Sequence, residues 1–454
     1  MMLLLALLGC SPMSGDNTGE RSPPEIPTQS CSDVAYEWAD MQAVGQLISW
    51  EPLLEGTIGP AGIAALQDST DQNIVDEVPF GARTYRFRYT TQDRGAIVEA
   101  TAMVSFPDTE GEPLETSSLL WMHPTVGFSD TCAPSANGIE QMVPLLVGAS
   151  QGYIVVAPDY LGMAGYGEPS GMLHPYIVSE PTAVVSLDAV RAVEQLATQS
   201  RGPELGVVPN DKLAMWGISE GGFGALWAAR YLPHYAPEYQ LLGVAAVIPA
   251  SDMLALAQHG LSTFGDTTWA IMAVLTTAHP WFGASGELRD ALTDEAPAFL
   301  ASRLPEILSE ECEPTSFEGA DQLSEVEHLF QSDFVEAIVE GDWANADPFA
   351  CYLRHSTLPG SSIPRVEDAP TLFIVGENDT LAYAGTERTS VDKLCDEGQR
   401  IEYIECEGAS HVTAAVESLS YQWEWLSRRL ENKEWIDGGS CDTSEPVSCI
   451  NLKN

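Results

Sequence analysis

Between positions 213 and 226 the chain reads Leu213-Ala214-Met215-Trp216, then Gly217-Ile218-Ser219-Glu220-Gly221, then Gly222-Phe223-Gly224-Ala225-Leu226. An apolar run, a serine between two glycines and a small-residue helical stretch in direct succession leave few foldings open. The serine has to occupy a sharp turn joining a buried strand to a helix, with glycine wherever the two backbones pass too closely for a Cβ. Such a turn lifts the serine oxygen clear at the C-terminal edge of a sheet. The helix N-terminus behind it favours negative charge developing nearby.

The rest of the chain supplies the sheet. Beta-rich apolar segments lie at 84–89, 97–106, 117–123, 153–158, 212–216, 244–248, 371–376 and 401–406, and several are continuously apolar, as strands buried on both faces require. Helical periodicity occupies 180–200, 220–231 and 413–430 between them. This alternation predicts an α/β fold with a mostly parallel central sheet and helices on both faces. With the serine turn it specifies the α/β-hydrolase fold, built as one elaborated domain from segments 31–250 and 362–432. Segment 251–361 breaks the alternation with helical stretches at 268–277, 297–310 and 322–340, and reads as a helical cap inserted between the sixth and seventh of these strands. Its stretch Trp269-Ala270-Ile271-Met272-Ala273-Val274-Leu275 is apolar on nearly every side, fitting either a buried helix or a lid lining an acyl pocket.

A serine hydroxyl is a weak nucleophile until a base takes its proton, and imidazole has the basicity for that at neutral pH. In this fold the order is serine, acid, histidine, with the last two on loops after the final strands. Of the eight histidines, His411 lies just past the last strand in Gly408-Ala409-Ser410-His411. Asp379 lies just past the preceding strand in Gly376-Glu377-Asn378-Asp379, with Glu377 as the rival acid. Ser219, Asp379 and His411 are therefore the candidate catalytic residues. An oxyanion needs two backbone N–H donors, one from the residue after the serine, Glu220, and one from the loop His123-Pro124-Thr125-Val126-Gly127, where Thr125 or Val126 is the candidate. His123 reads as a loop-ordering residue, Asp159 as a loop and helix-capping residue, and His174 in His174-Pro175-Tyr176 as structural. This chemistry needs no cofactor, and no metal-ligand spacing of Cys and His occurs.

Four stretches carry a family resemblance: His123 through Cys132-Ala133-Pro134-Ser135; Gly152-Tyr153-Ile154-Val155-Val156-Ala157-Pro158-Asp159-Tyr160; Gly217 to Gly222; and Ala369 to Asp379. Across 85–430 the chain resembles the secretory lipases, an α/β-hydrolase family with a large helical cap. The resemblance implies a small-molecule acyl-ester substrate, a covalent acyl-enzyme and no cofactor. Glu220 is a departure, because members usually carry Gln there. The same machinery serves peptidases, amidases and acyltransferases, and a non-catalytic surface-binding lipoprotein is the alternative of a different class.

The N-terminus, Met1-Met2-Leu3-Leu4-Leu5-Ala6-Leu7-Leu8-Gly9-Cys10, is an apolar run too short to span a bilayer and resembles a bacterial lipoprotein signal, although no Lys or Arg precedes the run. The resemblance implies a signal peptide at 1–9, lipidation at Cys10, and an exported protein anchored to the cell envelope, at the outer membrane if Gram-negative. An ordinary cleaved secretory signal is the alternative. The Ser, Gly, Pro, Thr and Glu-rich stretch that follows, 10–30 with the cysteine, reads as a tether. Removing Cys10 from nine cysteines leaves Cys31, Cys132, Cys312, Cys351, Cys395, Cys406, Cys441 and Cys449, an even set suited to disulfides in an oxidising compartment. Short loops favour Cys395 with Cys406 and, in the tail 433–454, Cys441 with Cys449; Cys312 with Cys351 and Cys31 with Cys132 then remain. Twenty basic against 66 acidic residues give a net charge of −46, which repels nucleic acid and anionic membrane surfaces and favours a monomer. Self-repulsion of that size is relieved as salt shortens the screening length below about 10 Å. We therefore expect the melting temperature to rise between low salt and about 1 M NaCl; a flat salt series by differential scanning fluorimetry counts against it.

Overall fold

The computed structural model describes residues 31, 36–53, 57–70, 74–109, 114–137, 142–198, 205–294, 300–310, 312, 323–366, 369–431, 433 and 441–452. The segments 1–9 and 10–30, Cys10 included, lie outside them. Among these residues nine strands make one sheet: β1 (Leu47–Pro52), β2 (Gly81–Asp93), β3 (Ala96–Asp108), β4 (Leu114–Met122), β5 (Ile154–Pro158), β6 (Val207–Ile218), β7 (Gln240–Val247), β8 (Thr371–Gly376) and β9 (Ile401–Cys406). Their spatial order is β1-β2-β3-β5-β4-β6-β7-β8-β9. The pairings from β1 to β5 are antiparallel and those from β5 to β9 parallel. This is the expected α/β-hydrolase sheet with one strand more than the sequence suggested. β1 is an edge strand, half buried and carrying Ser49, Glu51 and Pro52, so it lacks the apolar run that marks a central strand. β2 and β3 extend past their expected ends because Arg94 (φ 48°) and Gly95 (φ 81°) close a two-residue turn that pairs Asp93 with Ala96.

The parallel strands are buried on both faces, each by its own core. Along β6, Leu213 and Met215 point into a core shared with helices Ser179–Thr198 and Glu220–Tyr235. Ala214 and Trp216 point into a second core with Val143–Ser150 and Leu419–Leu430. The helix expected over 413–430 is two, His411–Glu417 and Leu419–Leu430, divided at Ser418. The Ser418 hydroxyl donates to Ala414 O (2.6 Å) and accepts from Gln422 Nε2 (2.7 Å), a local bonding pattern that competes with a continuous helix.

Between β7 and β8 the chain is helical: Met253–Ser262, Asp266–Phe282, Leu300–Glu310, Ser332–Glu340, Trp343–Ala346 and Phe349–His355. The stretch 322–340 is not a single helix. A short 3-10 turn, Val326–His328, precedes an antiparallel bridge of Phe330 with Leu292, and only then does the helix from Ser332 begin. The cap packs on the core that holds helix Glu220–Tyr235, through Ile271, Met272 and Val274 among others.

All eight expected cysteines are bonded, but in other pairs: Cys31–Cys351, Cys132–Cys312, Cys395–Cys441 and Cys406–Cys449. The correction follows from strand geometry. Cys395 lies ahead of β9 and Cys406 at its far end, and a strand rising about 3.3 Å per residue separates them beyond disulfide reach. The tail runs alongside β9 in the same direction, with Cys441 N donating to Ile401 O (3.1 Å) and Val447 N to Glu405 O (2.8 Å), so each tail cysteine meets the end of β9 nearest to it. Cys31–Cys351 and Cys132–Cys312 each join the cap to the core chain, at sequence separations of 320 and 180. Replacing Cys406 and Cys449 by alanine is expected to lower unfolding stability by about 2–4 kcal/mol in urea titration; an unchanged midpoint contradicts the pairing.

Candidate active site

The serine turn is built by close backbone approach. A Cβ on Gly217 would lie 1.9 Å from Gly221 O, and one on Gly221 would lie 1.9 Å from Met122 O at the end of β4. Ser219 is held at φ 55°, ψ −115°, a conformation that L-residues rarely adopt, with its N–H donated to Val247 O (2.8 Å). Glu220 begins the helix behind it, so its N–H is one of the first-turn donors without an intrahelical acceptor.

The loops after β8 and β9 bring the two other expected residues to this serine. Ser219 Oγ lies 2.9 Å from His411 Nε2, and His411 Nδ1 lies 2.7 Å from Asp379 Oδ2. Asp379 is 2% exposed, and its other oxygen accepts N–H bonds from Leu381 and Ala382, both 2.9 Å. A carboxylate at Nδ1 accepts a proton bond, so Nε2 is left as the acceptor facing the serine hydroxyl. Ser410 caps the helix that His411 opens, accepting from Thr413 N. Glu377, the rival acid, instead accepts the Gly408 N–H (2.7 Å), bracing the loop that carries His411.

The candidate oxyanion loop continues β4. His123 is buried, with Nδ1 on Pro124 O (2.7 Å) and its ring stacked on Tyr160 at 4.1 Å between centroids; burial pushes its basicity down. That matches a loop-ordering role. Asp159 accepts from Thr101 Oγ1 (2.6 Å) and from Ser135 N (2.8 Å), holding the Cys132-Ala133-Pro134-Ser135 loop, far from a second-acid role. Thr125 borders the cavity above Ser219, and its hydroxyl donates to Tyr176 Oη (3.1 Å). Sequence reasoning missed one contact: the side chain of Glu220 turns inward and meets His174, Oε1 to Nε2 2.6 Å, with both side chains at most 1% exposed. The only signal for it was the departure from Gln at 220.

A cavity of about 850 Å³ opens over Ser219 and His411. Its lining includes Trp121, Val416 and Leu419, and Trp269, Met272 and Ala273 of cap helix Asp266–Phe282. The expected apolar cap stretch thus serves as core and as pocket wall. Among the described lining residues there is no Lys or Arg, and Asp266 supplies a negative charge. Among the described residues no group of His, Cys, Asp and Glu is arranged to hold a metal ion.

With this geometry in view, the secretory lipase family model matches residues 135–438. The chain belongs to the secretory lipase family. As a member it is a carboxylic-ester hydrolase, and its relatives' names are consistent with export. It is 24% identical over 367 residues to a secreted triacylglycerol lipase of Malassezia globosa, covering 77% of this chain and 72% of that one. It is 23% identical over 376 residues, 79% and 76% of the two chains, to a probable inactive lipase of Mycobacterium tuberculosis. In fold it is similar to the rice cell wall degrading esterase LipA of Xanthomonas oryzae, with TM-score 0.68 and 20% identity over 86% of this chain and all of that one. The backbone contacts at the serine turn make a direct prediction for this family member. Gly221→Ala should lower unfolding stability by more than about 3 kcal/mol or prevent folding, whereas Gly59→Ala, which has open space around its Cβ position, should change the melting temperature little; equal melting curves for the two contradict the contact.

Proposed function

We propose that this secretory lipase hydrolyses uncharged carboxylic esters with apolar acyl groups by nucleophilic catalysis, with Ser219 as nucleophile, His411 as general base and Asp379 as its partner. The observation that carries this reading is the continuous hydrogen-bond chain from Ser219 Oγ through His411 to Asp379 at the floor of an apolar cavity. In the mechanism Ser219 Oγ attacks the ester carbonyl carbon as its proton passes to His411 Nε2, and Asp379 stabilises the imidazolium. The carbonyl oxygen, now negative, is received by the backbone N–H groups of Glu220 and Thr125. Collapse of the tetrahedral intermediate expels the alcohol, which takes the proton from His411, and leaves Ser219 acylated. Water then attacks the acyl carbon as its proton passes to His411, and collapse of the second tetrahedral intermediate breaks the bond to Ser219 Oγ, which takes that proton back as the carboxylic acid leaves.

The apolar walls and the carboxylate of Asp266, the one acidic group among the described lining residues, favour a neutral substrate over an anionic one. The working form in this reading is an exported monomer, held to the envelope by lipid on Cys10. Palmitate labelling of the wild type, lost in Cys10→Ser, tests the anchor. For the chemistry, purified protein should turn over neutral p-nitrophenyl esters and react with an uncharged fluorophosphonate at Ser219. Ser219→Ala should lose at least about 10⁴-fold in kcat, with Asp379→Asn about 10⁴-fold down. Turnover of peptide anilides in place of esters favours the amidase alternative; unaltered activity in Ser219→Ala removes the proposed nucleophile.

A further inference from the structure

The side chain of Glu220 has no part in the steps above, yet it is buried directly behind the nucleophile. Carboxylates are costly to bury unless they are paired, so its contact with His174 is informative. His174 Nδ1 lies 2.7 Å from Leu161 O, and a carbonyl can only accept, so Nδ1 carries a proton. Nε2 faces Glu220 Oε1 at 2.6 Å, a separation that requires a second proton between nitrogen and oxygen. The contact is therefore a directed hydrogen bond and not only packing.

The same short segment reaches the other half of the oxyanion site. His174 N donates to Phe128 O (3.1 Å), just past the His123 to Gly127 loop. Two residues on, Tyr176 Oη accepts from Thr125 Oγ1 (3.1 Å), and its ring meets Phe128 edge-on at 5.1 Å between centroids. The segment is itself fixed, because a Cβ on Gly162 would fall 2.5 Å from His174 Cα. His174-Pro175-Tyr176 thus grips Glu220 at one end and the Thr125 loop at the other, and the two expected N–H donors belong to Glu220 and Thr125. The groups facing the pair from neighbouring elements are the imidazole of His123 and the phenols of Tyr160 and Tyr176. Tyr160 stacks between the two imidazoles, 4.1 Å from His123 and 5.8 Å from His174, and donates to His123 O (2.9 Å).

We propose that Glu220 and His174 are positioning residues: their buried hydrogen bond sets the separation of the two backbone donors that receive the oxyanion. This rests on the ester-hydrolase reading above. Because an oxyanion develops only after attack, the bond acts on turnover more than on ground-state binding. A misplaced donor costs on the order of 10²-fold.

The test uses the full chain and a neutral p-nitrophenyl ester. Glu220→Ala and His174→Ala should each lower kcat by about 10- to 100-fold, with KM within about threefold of wild type. The double variant should fall little below the worse single, since both remove one bond. Glu220→Gln should recover most of the loss, because its amide N–H can donate to Nε2 while Nδ1 stays on Leu161. If Glu220→Ala does not melt cooperatively, Glu220→Met, which keeps the volume without a buried charge, carries the same expectation. Losses confined to KM, multiplying losses in the double variant, or a Gln variant as poor as Ala overturn the positioning role. A wild type inactive on every ester, or equalled by Ser219→Ala, overturns the ester-hydrolase reading and this inference with it; an active wild type beside unimpaired Glu220 variants overturns the inference alone.

Discussion

Backbone meets backbone where the helix after the nucleophile starts, and the site is organised around that contact. Gly221 lies against Met122 O and Gly217 against Gly221 O, distances at which no Cβ fits. The approach pins the end of β4 to the first turn of the helix and holds Ser219 in its positive-φ conformation. The loop that continues β4 through His123 starts at the same contact. Nucleophile and the Glu220 N–H therefore belong to one rigid unit, against which the bond between the Glu220 and His174 side chains sets the Thr125 loop in the reading proposed above.

The acid and base arrive as a second unit. The loops after β8 and β9 are laced together, with Glu377 N donating to Cys406 O (3.0 Å), Asn378 N to Ala409 O (2.8 Å) and Gly408 N to the Glu377 carboxylate (2.7 Å). Asp379 and His411 are thereby fixed to each other before they meet the serine. Both units hang from strands of the same parallel run, β4 and β6 for one and β8 and β9 for the other, whose common direction gathers their following loops at one edge.

Much of this could be read from the sequence, for identifiable reasons. Parallel strands announce themselves as apolar runs, and the glycine pattern around Ser219 reports a steric requirement that is local in sequence. His411 and Asp379 follow because each sits one short loop beyond such a run. What escaped the reading depends on contacts distant in sequence or weak in pattern. β1 is an edge strand with polar residues, and the break at Ser418 comes from a hydroxyl that bonds locally. Disulfide pairing is decided by which strand ends lie side by side, which loop length does not report. The meeting of Glu220 with His174 joins residues 46 apart through a fold that must first bring them together.

The tail beside β9 has a consequence for the molecule among its copies. β9 ends the sheet, and the end of a parallel sheet presents unpaired N–H and C=O groups along its length. Glu407 N bonds to Val447 O and Val447 N to Glu405 O, both 2.8 Å, while disulfides rivet the tail at Cys441 and Cys449. Segment 441–449 thus occupies the template on which another copy could stack strand upon strand, and covalent bonds keep it from peeling away. Resistance to fibre-like association at that edge is consequently tied to the oxidation state of cysteines that lie outside the catalytic chemistry.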